Sequence, residues 1–218
     1  MRTLVIGDIH GCNQQLRQLL FQINLKPNDI LVTLGDYIDR GPDSYGVIET
    51  LIDISKHCTL IPLRGNHEEL LLNSDKEKYQ IIWCNNGAAA TLSSYSTNNQ
   101  QFVHYKSVMD LIPDNHIEFL KNCKLYYEDD NNIFCHAGYN PNLDLKDNSK
   151  QTLLWDHVKS NNLLQPHKSG KTAWLGHTPQ KGGLIVDHGH LKMIDVGSSR
   201  TGRLAAVDTA TGQIWYAC

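Results

Sequence analysis

The sequence predicts an α/β protein built on parallel strands. Short β-branched runs alternate with helix-spaced apolar residues over the first part of the chain. Each of those runs ends in a polar motif that contains glycine. From residue 125 onward the pattern turns rich in strand signals.

Residues 3–6 (Thr-Leu-Val-Ile) form the first run and end in Gly7-Asp8. Residues 13–24 place Leu16, Leu19, Leu20 and Ile23 on one helical face, with Asn13 as the expected N-cap. Residues 30–34 form a second apolar run, again followed by Gly-Asp. Residues 44–56 read as a helix with Val47, Ile48, Leu51 and Ile54 inward. Residues 59–63 form a third strand, ending before Arg64-Gly65-Asn66-His67, and a helix follows from residue 68. This β-α-β-α-β-α order argues for crossover helices, and it directs the site to the carboxyl ends of the strands. Residues 79–121 read as mainly helical, with turns at Asn85-Asn86-Gly87 and Asn98-Asn99. Strands are then expected at 125–128, 133–136, 172–175, 184–186, 191–194, 204–208 and 213–216, with loops at 144–150 and 161–170.

A chain of 218 residues without repeat or low-complexity linker reads as one domain, 1–218. The net charge of −3 exerts no global pull toward nucleic acid or anionic membrane, so neither is an expected partner. A local basic site remains compatible with that figure. The first residues lack the apolar length and small-residue cleavage pattern of a signal peptide, and no run approaches the ~20 apolar residues of a membrane helix. A cytoplasmic, monomeric protein is expected. The six cysteines are scattered without a C-x-x-C pair, which favours buried small hydrophobes over a zinc knuckle or disulfide framework.

Five segments carry the chemistry: Gly7-Asp8-Ile9-His10-Gly11, Gly35-Asp36-Tyr37-Ile38-Asp39-Arg40-Gly41, Gly65-Asn66-His67-Glu68, His136-Ala137-Gly138 and Gly176-His177. An Asp or His at a strand end is by itself more often a cap or turn former. In this order, after these strands, the five point together to metal. Two divalent ions held ~3.5–4 Å apart need a bridging carboxylate, and Asp36 is placed to supply it. Asp8 and His10 are two apart and can face one ion, while Asn66, His136 and His177 offer neutral donors for a second.

The same five segments resemble, in order, the signature of the phosphoprotein phosphatase branch of the calcineurin-like metallophosphoesterases: G-D-x-H-G, G-D-x-x-D-R-G, G-N-H-E, H-[AG]-G and G-H. Asn86-Gly87 with Ala90-Thr91-Leu92 and Ser94-Tyr95 is similar to a stretch of the small bacterial and phage members. So are Leu153-Leu154-Trp155, Gly176-His177-Thr178-Pro179, and Ile194-Asp195-Val196-Gly197 with Gly202-Arg203-Leu204. The resemblance spans nearly the whole chain. It implies a four-layer α/β/β/α sandwich of two mixed sheets. It implies one ion on Asp8, His10 and Asp36, and a second on Asp36, Asn66, His136 and His177. It implies His67 as general acid oriented by Asp39, and Arg40 as a phosphate clamp. A metal-bridging hydroxide would attack phosphorus in line. The oxygen and nitrogen donors suit Mn²⁺, with Fe or Zn also compatible. The expected substrate is protein phosphoserine or phosphothreonine, with phosphotyrosine included; the alternative is a dinucleoside polyphosphate, and a third reading is a scaffold that binds phosphorylated partners without turnover.

Two departures stand out. The related enzymes carry Arg two residues after the Trp of L-L-W, where this chain has His157. Histidine lacks the bidentate fork, leaving protonated His157, Arg200 or Arg203 as candidates to contribute charge, or a solvent-facing His157 that contributes none. The second Gly of N-G-G is Ala88. A rival motif, His57-Cys58 followed by Arg64, matches the H-C-x5-R loop of cysteine phosphatases, but its interior reads as an apolar strand in which Pro62 removes a donor. Trp83, Trp155, Trp174 and Trp215 read as core or pocket walls. Cys12 and Cys135 read as packing residues, and Asp187-His188-Gly189-His190 as a hairpin turn rather than a metal site.

Overall fold

The computed structural model describes residues 1–98, 108–158 and 164–218. In chain order its strands are β1 (Thr3–Ile6), β2 (Ile30–Thr33), β3 (Thr59–Pro62), β4 (Tyr126–Glu128) and β5 (Asn132–Cys135). They continue as β6 (Thr172–Leu175), β7 (Val186–Asp187), β8 (Leu191–Met193), β9 (Leu204–Asp208) and β10 (Ile214–Ala217). Two five-stranded sheets result, ordered β10-β9-β1-β2-β3 and β4-β5-β6-β8-β7. Both are mixed. In the first, β1, β2 and β3 are parallel and β9 runs antiparallel beside β1. In the second, β5, β6 and β8 are parallel, flanked by antiparallel β4 and β7.

Strand alternation builds the layers. Leu4 and Ile6 of β1 pack against helices, while Val5 faces the other sheet. On the second sheet Ile133 and Cys135 face outward to their own cover, and Phe134 points between the sheets. Trp174 does the same between Ala173 and Leu175. The inter-sheet core is therefore Val5, Val32, Leu34 and Val207 against Phe134, Trp174 and Ile194. Tyr127, Phe134 and Trp174 stack through it, with ring centroids 5.7 and 6.5 Å apart.

Helices α1 (Asn13–Ile23) and α2 (Ser44–Ile54) are the parallel crossovers of the first sheet. Then come α3 (Asn66–Leu72), α4 (Glu77–Cys84), α5 (Ala88–Asn98) and α6 (Asp114–Asn122). Short α7 (Lys150–Leu154) covers the second sheet, and α8 (Ser198–Thr201) is a single turn. The outcome is the α/β/β/α sandwich. No helix among the described residues is long and apolar enough to cross a membrane.

Several local expectations change. Asn13 is the first helical residue, not the N-cap. Cys12 stands at the cap without a side-chain capping bond, and Asn13 instead joins Asp43 and Thr50 at 2.8 and 2.9 Å, tying α1 to α2. α3 begins at Asn66 rather than 68, because Glu68 reaches back to the Gly65 N–H at 2.8 Å. The expected loop 144–150 contains a 3₁₀ turn, Leu145–Asp147, and runs into α7, whose N-cap Ser149 accepts from Thr152 N. Strand 184–186 shrinks to Val186–Asp187. Asn98 ends α5, whereas Asn99 and residues 161–163 of the other expected loop lie outside the described residues. Of the cysteines, Cys84 and Cys218 are exposed rather than buried.

Phe134 is fully buried between the two sheets, so Phe134→Ala should cost about 3–5 kcal/mol, read as a lowered midpoint in urea unfolding. A loss well under that range would show that the sheets close over the gap.

Candidate active site and metal centre

Every predicted site residue but His157, which follows α7, lies just past the carboxyl end of a parallel strand: Asp8 and His10 after β1, Asp36 to Arg40 after β2, Asn66 and His67 after β3, His136 after β5, and His177 after β6. The two sheets thus bring their strand ends to one cleft. The backbone there is unusual. His10, Asp36, Asp39, Arg40 and His177 all have φ between +45° and +71°, and outside them only Asn24, at the end of α1, does so among the described non-glycine residues. Each such residue costs of order 1–3 kcal/mol, tolerated where the surroundings over-determine it. Gly65 and Gly176 let the chain pass close to two site carboxylates. A Cβ on either would stand 2.1 Å from a carboxylate oxygen, of Asp36 and Asp8 respectively.

The tautomers follow from backbone carbonyls. Nδ1–H of His136 donates to Leu34 O at 2.8 Å, and Nε2–H of His177 donates to Trp155 O at 3.2 Å. Their other nitrogens therefore present lone pairs. His136 Nε2, His177 Nδ1 and Asn66 Oδ1 lie 2.9–3.1 Å apart, and Asp36 Oδ1 is 3.4 Å from His136 Nε2. Burial lowers the pKa of both histidines, that of His177 to about 3, so no proton sits between these acceptors. Four electron-rich atoms this close repel unless a cation lies among them, and nitrogen–oxygen sets of this kind suit divalent transition metals.

A second cluster is formed by His10, Asp36 and His67, so Asp36 belongs to both. Nδ1–H of His10 donates to Ile38 O at 2.9 Å, burial lowers its pKa to about 3, and Nε2 keeps its lone pair, 3.5 Å from Asp36 Oδ2. In this structure that lone pair accepts from Arg40 Nη1 at 2.8 Å. Asp8 stands apart from the clusters, since both of its oxygens accept from the His177 N–H at 3.1 and 2.9 Å. Burial, then Asp195 and Asp36, hold the Asp8 pKa well above the usual carboxylate range. Burial also pushes Asp195 up, to about 6. Three buried carboxylates in one place are a demand for positive charge.

The Asp39–His67 pair is made, with Nδ1 and Oδ2 2.6 Å apart. His67 is fully buried, and its Nε2 has no partner. Burial opposes a charge on it, but Asp36 and Asp39 outweigh burial and raise its pKa. Sequence reasoning missed what holds Asp39. Trp83 Nε1–H donates to both Asp39 oxygens at 3.0 and 2.8 Å, and Thr91 Oγ1 donates at 2.6 Å while accepting from Asp39 N–H. Thr91 lay within a motif already singled out; nothing in the sequence marks Trp83, which read as core. Glu68 was equally hidden as a support, accepting from Gly65, Asp36 and Tyr37 N–H at 2.8–2.9 Å.

The cleft, about 420 Å³, is lined by Asp36, Arg40, Asn66, His177 and, at its outer wall, Trp155, His157 and Arg200. His157 is exposed and stacks on the His177 ring at 4.3 Å. Arg203 turns away, donating to Gly183 O and covering the Tyr216 ring. The rival cysteine motif fails: residues 59–62 are strand β3 paired with β2, burial raises the Cys58 pKa, and Arg64 is held by Glu69 and by Leu120 and Lys121 carbonyls. His188 and His190 flank a hairpin turn at Gly189 between β7 and β8, as expected.

A fold of two facing mixed sheets with an Asp–His–Asn cluster at the strand ends defines a metal-dependent phosphoesterase. The family model of the calcineurin-like phosphoesterases matches residues 1–210, and the chain belongs to that family of phosphoric ester hydrolases, which use divalent metals. It is 27% identical over 204 residues to serine/threonine-protein phosphatase 1 of Salmonella typhimurium, covering 92% of this chain and 88% of that protein. A 73-residue match to the symmetrical bis(5'-nucleosyl)-tetraphosphatase of Proteus mirabilis is 44% identical and covers 33% of this chain and 26% of that one. A solved structure described as a candidate diadenosine tetraphosphatase shares the fold, with TM-score 0.68 and 23% identity over 99% of this chain and 92% of that chain.

Trp83→Phe keeps a ring in place but removes a donor from a buried carboxylate. Stability should fall by about 1.5–3 kcal/mol in chemical denaturation, and turnover should fall with it. Native-like values of both would show that the Trp83 bond contributes nothing.

Proposed function

We propose that the protein is a metal-dependent phosphomonoesterase acting on phosphoserine and phosphothreonine in proteins, with phosphotyrosine as a further substrate. The observation that carries the reading is Asp36, shared by the donor clusters of His10, Asp36 and His67 and of Asp36, His136 and His177 in a cleft that also holds two arginines. Asp8, outside both clusters, is assigned to the first ion from the family resemblance, which leaves His67 as the acid. In this reading Asp8, His10 and Asp36 hold one ion, and Asp36, Asn66, His136 and His177 the other. Mn²⁺ is the proposed metal, with Fe or Zn compatible with the same donors. When bound, such ions lower the pKa of water and neutralise phosphate oxygens. The chain's own residues do the rest. Arg40 leaves His10 and grips the phosphate oxygens. His67, its Nδ1–H held by Asp39, offers the Nε2 proton to the departing alkoxide. Residues 1–218 act as one catalytic unit, monomeric and cytoplasmic.

Protein substrates are favoured because similarity to the Salmonella phosphatase runs almost end to end, whereas the tetraphosphatase match spans a third of the chain. The identity within that third, and the structural neighbour, favour dinucleoside tetraphosphate as the second reading. Turnover of a phosphoserine peptide, a phosphotyrosine peptide and diadenosine tetraphosphate by Mn²⁺-loaded protein separates them. The peptides should be preferred; a tetraphosphate preference replaces the first reading with the second. Absence of hydrolysis of all three would leave only a binding scaffold.

General acid catalysis is typically worth about 10²–10⁴-fold, and it matters most when the leaving oxygen is strongly basic. His67→Asn should therefore slow phosphoserine hydrolysis far more than nitrophenyl phosphate hydrolysis, with metal content unchanged. Equal losses in kcat/KM on both substrates would remove His67 from that role.

A further inference from the structure

We infer that Arg200 is the second guanidinium that grips the phosphate group in the cleft, a role resting on the phosphoesterase reading above. It answers the place where His157 stands without a fork.

Arg200 lines the same cleft as Arg40, Asn66 and His177. Arg200 is exposed, and its guanidinium makes no hydrogen bond or close ion pair among the described residues; the one charge it acts on is Asp195, at longer range. The turn that carries it is nonetheless fixed. Ser198 Oγ–H donates to Ile9 O at 2.9 Å, which ties α8 to the Asp8–His10 segment. Asp195 Oδ1 accepts from Gly197 N–H at 2.8 Å, and Thr201 Oγ1 lies 3.1 Å from the Val196 and Gly197 carbonyls. Left-handed glycines, Gly197 and Gly202, bound the turn with φ of +71° each. The guanidinium lies along Gly197, where an added Cβ would stand 3.7 Å from Nη2 and 3.8 Å from Nε. Anchored backbone with an uncommitted fork is the arrangement of a ligand-binding arginine.

The competing cations are excluded by their own contacts. Arg203 donates to Gly183 O and packs on Tyr216. His157 stacks on His177 and has no second donor in the geometry of a fork. Among the described residues Asp36 is the one carboxylate in the cleft lining, and Asp195, buried behind the turn, feels both arginines without ion-pairing to either, so both guanidinium forks are left with donors that face the cleft. A tetrahedral phosphate, with several oxygens to share between Arg40 and Arg200, is the anion that suits them.

Titration calorimetry of inorganic phosphate into the Mn²⁺-loaded protein reads the grip without turnover. Arg200→Gln should weaken phosphate binding about tenfold to a hundredfold. It should also raise KM for nitrophenyl phosphate more than it lowers kcat. Arg203→Gln should stay within about twofold of the native protein on both measures. Native-like phosphate affinity in folded Arg200→Gln overturns the assignment. So does a loss confined to diadenosine tetraphosphate, which would put Arg200 on an outer phosphate. If the native protein binds phosphate through Arg200 yet hydrolyses no phosphoester, the functional reading falls and the grip stands. If peptides are hydrolysed but phosphate binding ignores Arg200, the grip falls alone.

Discussion

Asp36 is the residue on which the site depends, because its backbone and side chain lock three motifs together. Its carbonyl accepts from Ile9 and His10 N–H at 3.1 and 2.7 Å. Its own N–H donates to Glu68 at 2.9 Å, and its Oδ1 accepts from His67 N–H at 3.1 Å. The first, second and third strand-end segments therefore cannot move independently. A left-handed φ of 51° is the conformational cost of that position, and the dense bonding around it is what holds it.

The donor set needs both sheets. Asp36 and Asn66 come from the first, His136 and His177 from the second, and these four meet only because the inter-sheet core sets the spacing. Two contacts cross directly. His136 Nδ1–H reaches Leu34 O, and Asp8 accepts from His177 N–H. Each orients a side chain of the site from one sheet by an atom from the other. The spacing of these donors and the packing of the sheets are in this sense one property, because a change in sheet separation moves His136 and His177 relative to Asp36 and Asn66.

The helical stretch between the two sheets in sequence reaches the site in a way its packing conceals. Trp83 of α4 and Thr91 of α5 both spend their donors on Asp39, which in turn holds His67. Three donor groups hold the buried Asp39 carboxylate against rotation, so the His67 ring is oriented through a residue that is itself fixed by a side chain 52 positions further along the chain. The Asp39–His67 pair is thus a charge arrangement inside the core.

By itself the sequence determined the strand-helix order, the parallel start of the first sheet, and the five segments that form the site. It could do so because strand ends, crossover periodicity and ligand spacing are local properties. Thr3–Ile6, Thr172–Leu175 and Leu204–Asp208 were legible to the residue for that reason. The tertiary structure alone decided the rest. That Asn13 bonds α2 instead of capping α1, that Trp83 supports Asp39, and that Arg200 enters the cleft while Arg203 leaves it are outcomes of contacts between distant segments. Two arginines three residues apart look alike in sequence; the left-handed Gly202 ends the turn between them, so Arg200 stays on α8 and Arg203 leads into β9.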